Sequence, residues 1–316
     1  MVSVEIKCSE CLEFLRALPD NSVDLTFCSP PYEAARKYGE LGFKLRGQQW
    51  VDWAVERYVE CCRVTKGLVA WVVEGQTRKF QRSATPALLM ADLHRRGVKL
   101  RKPPAFHRVG VCGSGGPDWW RNDYEFVVCA SKGRLPWSDS VATGAPPKHR
   151  PGGAMSNRGG KDSRRGRMAA SATEPKTIAF LDGRMPAGSK LHTKNNGTSM
   201  RVQCYTPPEI ANPGNVVSCS VGGGRMGSVI AHDNEAPFPE KLADAFIRSF
   251  CPPSGTVLDC FGGSGTTLAV AVLNDRNAIS VDIRESQCEL MRRRLAEAGE
   301  RKLLKDAAAQ LAEATA

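Results

Sequence analysis

The stretch from Thr256 to Ile283 constrains the fold of this chain more than any other. TVLDCF (256–261) meets the glycine-rich turn GGSG, the helix former TTLAVAVLND follows, and AISVDI (278–283) is a second buried run. Strand, helix and strand in that order imply a parallel or mostly parallel sheet, which needs cover on both faces. The first 133 residues alternate in the same way. ECLEFLRAL (10–18) sets Leu12, Leu15 and Leu18 on one helical face, VDLTFC (23–28) is a strand, and 48–64 is a helix with Val51, Val55, Tyr58 and Cys62 in line. TKG then turns the chain into the buried strand LVAWVVE (68–74). Thr85 caps a helix with Pro86 at its first position that runs to Arg96, and strands follow near 105–111 and 124–130. Past residue 232 a helix carrying Leu242, Phe246 and Phe250 leads into TVLDCF, and a charged amphipathic helix over 284–313 ends the chain. The expected fold class is α/β, a Rossmann-like doubly wound mixed sheet assembled from residues 1–133 and 231–316.

The middle of the chain differs. Residues 134–230 are rich in Gly, Pro and Ser, lack any long helical or strand period, and carry 14 Lys and Arg against five acids. That segment therefore holds +9 of the formal net charge of +11 and reads as a basic insert between two halves of one body. An excess of 44 Lys and Arg over 33 Asp and Glu points to a polyanion, nucleic acid or an acidic membrane. No apolar run nears the roughly 18 residues of a spanning helix, and MVSVEIKCSE has no basic-then-apolar signal, which argues against a membrane protein. The 12 cysteines are scattered, several within apolar runs, as expected of reduced, buried thiols in a cytoplasm. Cys8-x-x-Cys11 has zinc spacing but no second pair to complete a site, and His149, His192 and His232 form no ligand cluster, so no metal is expected.

Chemistry is concentrated at two strand ends. In Phe261-Gly262-Gly263-Ser264-Gly265-Thr266-Thr267 the glycines allow a tight turn and bring a ligand close to backbone N–H groups at a helix start. Asp282 ends the next strand, where an acid accepts from ribose hydroxyls, so the loop suits a nucleoside-containing cofactor. A dinucleotide loop begun at Gly263 wants a small residue where Leu268 stands, and no Gly-Lys-Ser/Thr grips phosphates. The turn taken alone is equally an ordinary strand-to-helix connection. The second feature is Ser29-Pro30-Pro31-Tyr32, directly after VDLTFC. Proline ends the sheet ladder and holds Ser29 extended, so the tetrapeptide projects rigidly at the carboxyl end of a strand. The Ser29 hydroxyl, the Pro30 carbonyl and the Tyr32 ring together suit a flat ring bearing an exocyclic amine. The alternative is a polar, proline-rich turn.

These residues resemble the S-adenosylmethionine-dependent DNA amino-methyltransferases in their permuted (beta) order, where a Ser/Asp/Asn-Pro-Pro-Tyr/Phe motif precedes an F-x-G-x-G loop. Val23-Asp24, Tyr124-Glu125, and His232 followed by Phe238-Pro239-Glu240 add to the match, which covers 1–133 and 232–298. The resemblance implies a class I methyltransferase fold, S-adenosylmethionine as cofactor, and target recognition by the insert. It makes Ser29, Pro30, Pro31 and Tyr32 catalytic. It assigns the cofactor to Glu10, Cys28, Phe238, Pro239, Asp259, Phe261, Gly262, Gly263, Ser264, Gly265, Thr266, Thr267 and Asp282. Ser9-Glu10 departs from the Gly-Asp usual ahead of the first helix. The implied reaction is methyl transfer to a base flipped out of double-stranded DNA. Extrusion costs a few kcal/mol, of which stacking on Tyr32 returns about 1–3. No strong general base is needed, because an alkylated amine loses its proton readily. Serine in the first position usually accompanies cytosine N4 and Asp or Asn adenine N6, so cytosine N4 is expected, with adenine N6 the alternative.

DNA contacts are expected from Trp119, Trp120 and Arg121, which either wedge into the duplex or pack on the sheet edge, and from Lys148, Arg150, Arg164, Arg165 and Arg167 in the insert. The last helix covers the sheet or offers a homodimer contact. A cytoplasmic, bacterial or phage-encoded enzyme of restriction-modification type follows from the resemblance. A non-catalytic nucleic-acid binder has no use for Ser29–Tyr32, and a dinucleotide oxidoreductase is disfavoured by Leu268. An RNA or protein amide methyltransferase differs only in substrate, and the basic insert favours long DNA.

Overall fold

The computed structural model describes residues 2–33, 44–110, 118–146, 190–193, 199–202, 209–222, 224–234 and 236–314. In chain order the elements are β1 (Val4–Cys8), α1 (Cys11–Ala17), β2 (Val23–Cys28), α2 (Gly47–Val64), β3 (Thr65–Val73), β4 (Thr77–Arg78), β5 (Gln81–Arg82), α3 (Thr85–Arg95), β6 (Ala105–Val109), β7 (Tyr124–Ser131), β8 (Lys190–Thr193), β9 (Ser199–Val202), β10 (Val216–Ser220), α4 (Glu240–Phe250), β11 (Thr256–Asp259), α5 (Thr266–Leu273), β12 (Asn277–Asp282) and α6 (Glu285–Ala314). Eight strands form one sheet in the order β1-β12-β11-β2-β3-β7-β6-β10, and β7 runs against its two neighbours while every other pairing is parallel.

Alternating side chains feed two cores. On one face Val69, Trp71 and Val73 of β3 and Val128 and Ala130 of β7 meet Leu15 of α1, Trp50, Val55 and Tyr58 of α2, and Leu89 and Leu93 of α3. On the other, Leu68, Ala70 and Val72 meet Leu242, Phe246 and Ile247 of α4 and Leu268 and Ala271 of α5. Each Val, Leu, Ile or Phe among them contributes about 1.5–3 kcal/mol on full burial, and strands covered on both faces read as unbroken apolar runs.

Several local expectations shift. Lys66 and Gly67 belong to β3 and make no turn. A Cβ on Gly67 would lie 2.2 Å from the Asp24 carbonyl oxygen, so glycine is there for close strand approach at the irregularity in the β2–β3 register. Cys61, not Cys62, is fully buried on α2. Thr85 is the first helical residue of α3 behind an Ala84 cap, and its hydroxyl bonds Ser83. Most of all, Val216–Ser220 of the expected insert is an edge strand parallel to β6.

The chain divides into one unit of Met1–Thr143 with Gly214–Ala316 and a second of Gly144–Pro213. The second is narrower than the expected 134–230 insert, because Leu135, Val217 and Val221 pack on the sheet's apolar core. It contains the antiparallel pair β8–β9, with Lys190 opposite Val202, where the composition suggested no strand. No described helix is long and apolar enough to cross a membrane.

Candidate active site

Strand order decides where chemistry can happen. From β11 the chain winds through α5 to β12, and from β2 through α2 to β3, in opposite directions across the sheet. A crevice therefore opens at the carboxyl ends of β11 and β2, the switch point of a doubly wound sheet. A cavity of about 950 Å³ fills it, lined by both motifs.

At one end lies the tetrapeptide. The Trp50 indole donates to the Pro31 carbonyl (2.8 Å), and Glu33 accepts from the Gly47 amide at the start of α2 (2.9 Å), so the loop is braced on both sides. The Tyr32 hydroxyl donates to Glu125 Oε2 (2.7 Å), and Arg108 holds Glu125 Oε1 (3.2 Å). Since the Tyr32 proton is given to Glu125, the Ser29 proton is the one shared between the Val72 carbonyl and the Tyr32 oxygen, both at 3.3 Å. The Ser29 oxygen thus keeps its lone pairs for an incoming N–H donor. Glu74, one residue past β3, also lines the cavity. Its Oε1 is engaged by Arg82 and the Gly75 amide, while Oε2 is buried without a hydrogen-bond partner. Burial, with a smaller push from Glu125, raises the Glu74 carboxyl above its ordinary range despite Arg82.

The other end is built from backbone. Gly263 (φ 50°) and Gly265 (φ 73°) turn the loop in the left-handed region, and a Cβ on Gly262 would sit 2.5 Å from Met291 Sδ and Ser280 Oγ. Asp282 accepts from the amides of Gly263 (3.1 Å) and Arg284 (2.9 Å), tying the loop to the end of β12. Phe261 sits against Trp71 and Trp53, and the Arg57 guanidinium lies 4.5 Å from the Trp53 ring. Glu10 caps α1 through Oε2 (2.7 and 3.0 Å) and takes Arg57 on Oε1 (2.7 Å). Burial would raise its pKa, but Arg57 and the α1 amides outweigh it and hold the carboxyl below the usual value.

Of the expected cofactor residues, Glu10, Phe238, Pro239, Phe261, Gly262, Gly263, Ser264, Thr266 and Asp282 reach the cavity wall. Cys28, Asp259, Gly265 and Thr267 lie behind it. Cys28 is buried against Cys260 (3.8 Å), which also meets Cys61 (3.7 Å), and burial pushes the Cys260 thiol to about 12. Thr267 donates to the Phe27 carbonyl (3.3 Å), and Gly265 caps α5 against Met291. Asp259 accepts from the Phe261 amide (3.0 Å), and burial raises its pKa to about 7. These four brace the loop from beneath. Cys8 does not pair with Cys11 but lies beside Cys288 and Glu285, ligand atoms within 4.8 Å of one another.

The family model described as DNA methylase (N6_N4_Mtase) matches residues 23–293. The chain belongs to this family. It is 27% identical over 294 residues to the orphan methyltransferase M.BamHII of Bacillus amyloliquefaciens, covering 87% of this chain and 89% of that one. The DNA adenine methyltransferase YhdJ of Escherichia coli is 24% identical over 302 residues, 90% of this chain and 80% of its own length. The solved PvuII DNA methyltransferase, described as cytosine-N4-specific, shares the fold with a TM-score of 0.61 at 18% identity, over 95% of this chain and 93% of that one. The protein is thus an S-adenosylmethionine-dependent DNA amino-methyltransferase with a class I methyltransferase fold.

The cavity of this methylase fits that cofactor chemically. Among the described residues its arginines are each engaged by an acid, Arg57 by Glu10, Arg108 by Glu125 and Arg284 by Asp282 (3.4 Å), so they form no open cation set for phosphates. A nucleoside carrying a sulfonium and an amino-acid tail asks instead for acids, hydroxyls and apolar rings, which Asp282, Ser264, Thr266, Phe238 and Phe261 provide. Trp119 and Trp120 are 75% and 84% exposed with rings 5.8 Å apart, so they do not pack on the sheet edge, while Asn122 of the same loop lines the cavity. Arg121 lies 3.8 Å from Asp123. Lys148, Arg150, Arg164, Arg165 and Arg167 lie outside the described residues.

Sequence reasoning missed Arg57, Trp50, Glu74 and Arg108. Glu74 carried the same signal as Asp282, an acid ending a buried strand. The others carried none, since nothing in a helix or strand pattern says which loop a side chain will hold.

Proposed function

We propose that this methyltransferase acts on the N4 amine of cytosine in duplex DNA, with the base flipped into the Ser29–Tyr32 end of the cavity. The observation that carries the reading is a serine with open lone pairs at the same crevice as the glycine loop. Ser29 and the Pro30 carbonyl accept the two amine N–H bonds, which leaves the nitrogen lone pair directed away from them, and Tyr32 supplies the ring face. The cofactor brings an electrophilic methyl group on a sulfonium. Phe261, Asp282 and the glycine loop hold it, and Glu10 with Arg57 shapes the neighbouring wall. As the methyl–sulfur bond breaks and the N–C bond forms, the amine becomes cationic and sheds a proton, and we assign its acceptance to Glu74, which lines the same cavity and has Oε2 unpartnered. Trp119, Trp120 and Arg121, exposed in the loop that also carries Asn122, and the basic residues of the insert would hold the duplex. Adenine N6 is the second reading, favoured by the relation to YhdJ.

Incubation with tritiated S-adenosylmethionine and unmethylated duplex DNA, then nucleoside chromatography, tests both. Label in N4-methylcytosine is expected. Label in N6-methyladenine transfers the mechanism to the other base, and label in neither overturns the proposal.

A further inference from the structure

We propose that the β4–β5 hairpin is a duplex-probing finger, in which Phe80 enters the base stack where the target base leaves it and Arg78 and Lys79 meet the flanking phosphates. This rests on the reading that the base is flipped from a duplex. The hairpin is TRKFQR (77–82), every residue of it exposed, with Thr77 opposite Arg82 and Arg78 opposite Gln81. Its two-residue loop is Lys79-Phe80, at φ 47° and 64°. Two left-handed residues in a hairpin loop are normally Asn-Gly, because a Cβ at positive φ is sterically penalised. Here that conformation is borne by a lysine and by a phenylalanine that is 79% exposed. Folding alone gains little from either choice, and backbone strain of this kind clusters at sites that meet a ligand.

The legs are clamped so that the tip is presented rather than loose. Ser83 donates its amide to the Gln76 carbonyl (2.7 Å) and accepts the Gln76 amide on Oγ (2.9 Å). The legs close only because position 75 is glycine, where a Cβ would lie 2.7 Å from the Ser83 carbonyl oxygen. Arg82 then pairs with Glu74, which lines the cavity. The tip lies six residues beyond Glu74, so chain length alone keeps it within about 20 Å of that wall at roughly 3.3 Å per residue. It projects from the same carboxyl end of the sheet as Ser29 and the glycine loop.

The partner's chemistry follows from the charge. Arg82 is held by Glu74, but Arg78 and Lys79 sit beside Phe80 in the hairpin TRKFQR, which has no Asp or Glu, so the aromatic tip suits a polyanion with stacked rings. An apolar wedge between base steps, flanked by cations on phosphates, is a known way of unstacking a duplex.

Phe80→Asn tests the finger, since asparagine tolerates the left-handed turn and lacks the ring. The expected result is an unchanged or higher melting temperature, unchanged cofactor affinity, and methylation of duplex DNA reduced about tenfold, against less than about twofold on the same DNA heat-denatured, where no stack needs opening. Phe80→Trp should restore the duplex rate. Arg78→Gln with Lys79→Gln should flatten the log–log salt dependence of DNA binding by about 0.9 for each phosphate no longer neutralised. Equal loss on both forms of DNA, or no loss on either, overturns the finger while leaving methyl transfer intact. No transfer by the unmodified protein to either form instead overturns the functional reading beneath it.

Discussion

The two ends of the cavity are made of different material. The cofactor end is backbone: a loop with two left-handed glycines, an acid bonded to loop amides, and a bed of protonated thiols beneath. The base end is side chain: Ser29, Tyr32, Glu125 and Arg108 in a hydrogen-bonded run, with Glu74 beside it. Backbone can be altered only by disturbing what it packs on. Side chains at a cavity wall can be exchanged with the fold left whole. Damage at the first end should therefore couple binding to stability, and damage at the second should separate rate from both.

The largest effect is expected at the base end. Ser29→Ala or Tyr32→Ala should lower methyl transfer by about a hundredfold or more, the scale of removing one orienting group from a preorganised site. Cofactor affinity by calorimetry should stay within about twofold of the parent. A parallel loss of cofactor binding would erase the distinction between the ends. Glu74→Gln should cost about tenfold in kcat, less than is usual for proton transfer because an alkylated amine loses its proton readily. Because its pKa is raised, the parent enzyme should lose rate as pH falls through a value above the ordinary carboxylate range, and the variant should lack that limb. An unchanged pH–rate profile would remove Glu74 from the reaction.

At the cofactor end the readouts should move together. Gly262→Ala forces a Cβ to 2.5 Å from Met291 Sδ, and overpacking of this kind costs about 1–3 kcal/mol. Melting temperature and cofactor affinity should both fall, and a variant with poor affinity but full stability would show that the loop is not so rigidly seated. Asp259 gives the smallest and most conditional effect. Its carboxyl has a pKa near 7 folded against the ordinary 3.8, so the folded protein retains a proton that the unfolded chain has lost across that interval. Stability should accordingly fall with rising pH between those values, by at most about 1.36 kcal/mol per unit, and level off above the folded pKa. Asp259→Asn should remove the slope, so urea denaturation should show the variant gaining on the parent from pH 5 to pH 8 by about 2 kcal/mol. No gain would mean that the acid beneath the loop is ionised.

Asp259 and Asp282 show how far the chain could be read unaided. Both are acids that end buried strands, and the sequence treats them alike. In the fold, β11 lies between β12 and β2, and Asp259 is closed over by its own loop, whereas Asp282 stands where β12 meets the cavity. Glu10 was legible as a polar residue before a helix, but its commitment to Arg57 was not, because that partner arrives on another helix 47 residues along. Gly67 misled for the same reason. A glycine needed for close strand approach and one needed for a turn look identical until the neighbouring strand is in place.

The sequence by itself determined the kinds of elements, their order, and the chemistry at two strand ends, since hydrophobic period, proline and glycine act over a few residues. It also determined where most of the positive charge lies. Only the tertiary structure decided that β2 lies beside β11, so that motifs at opposite ends of the chain share one crevice. It alone decided which acids face that crevice, which arginines neutralise them, and that a phenylalanine stands exposed at the tip of the β4–β5 hairpin. Those outcomes depend on burial summed over the whole sheet, which no local stretch of sequence contains.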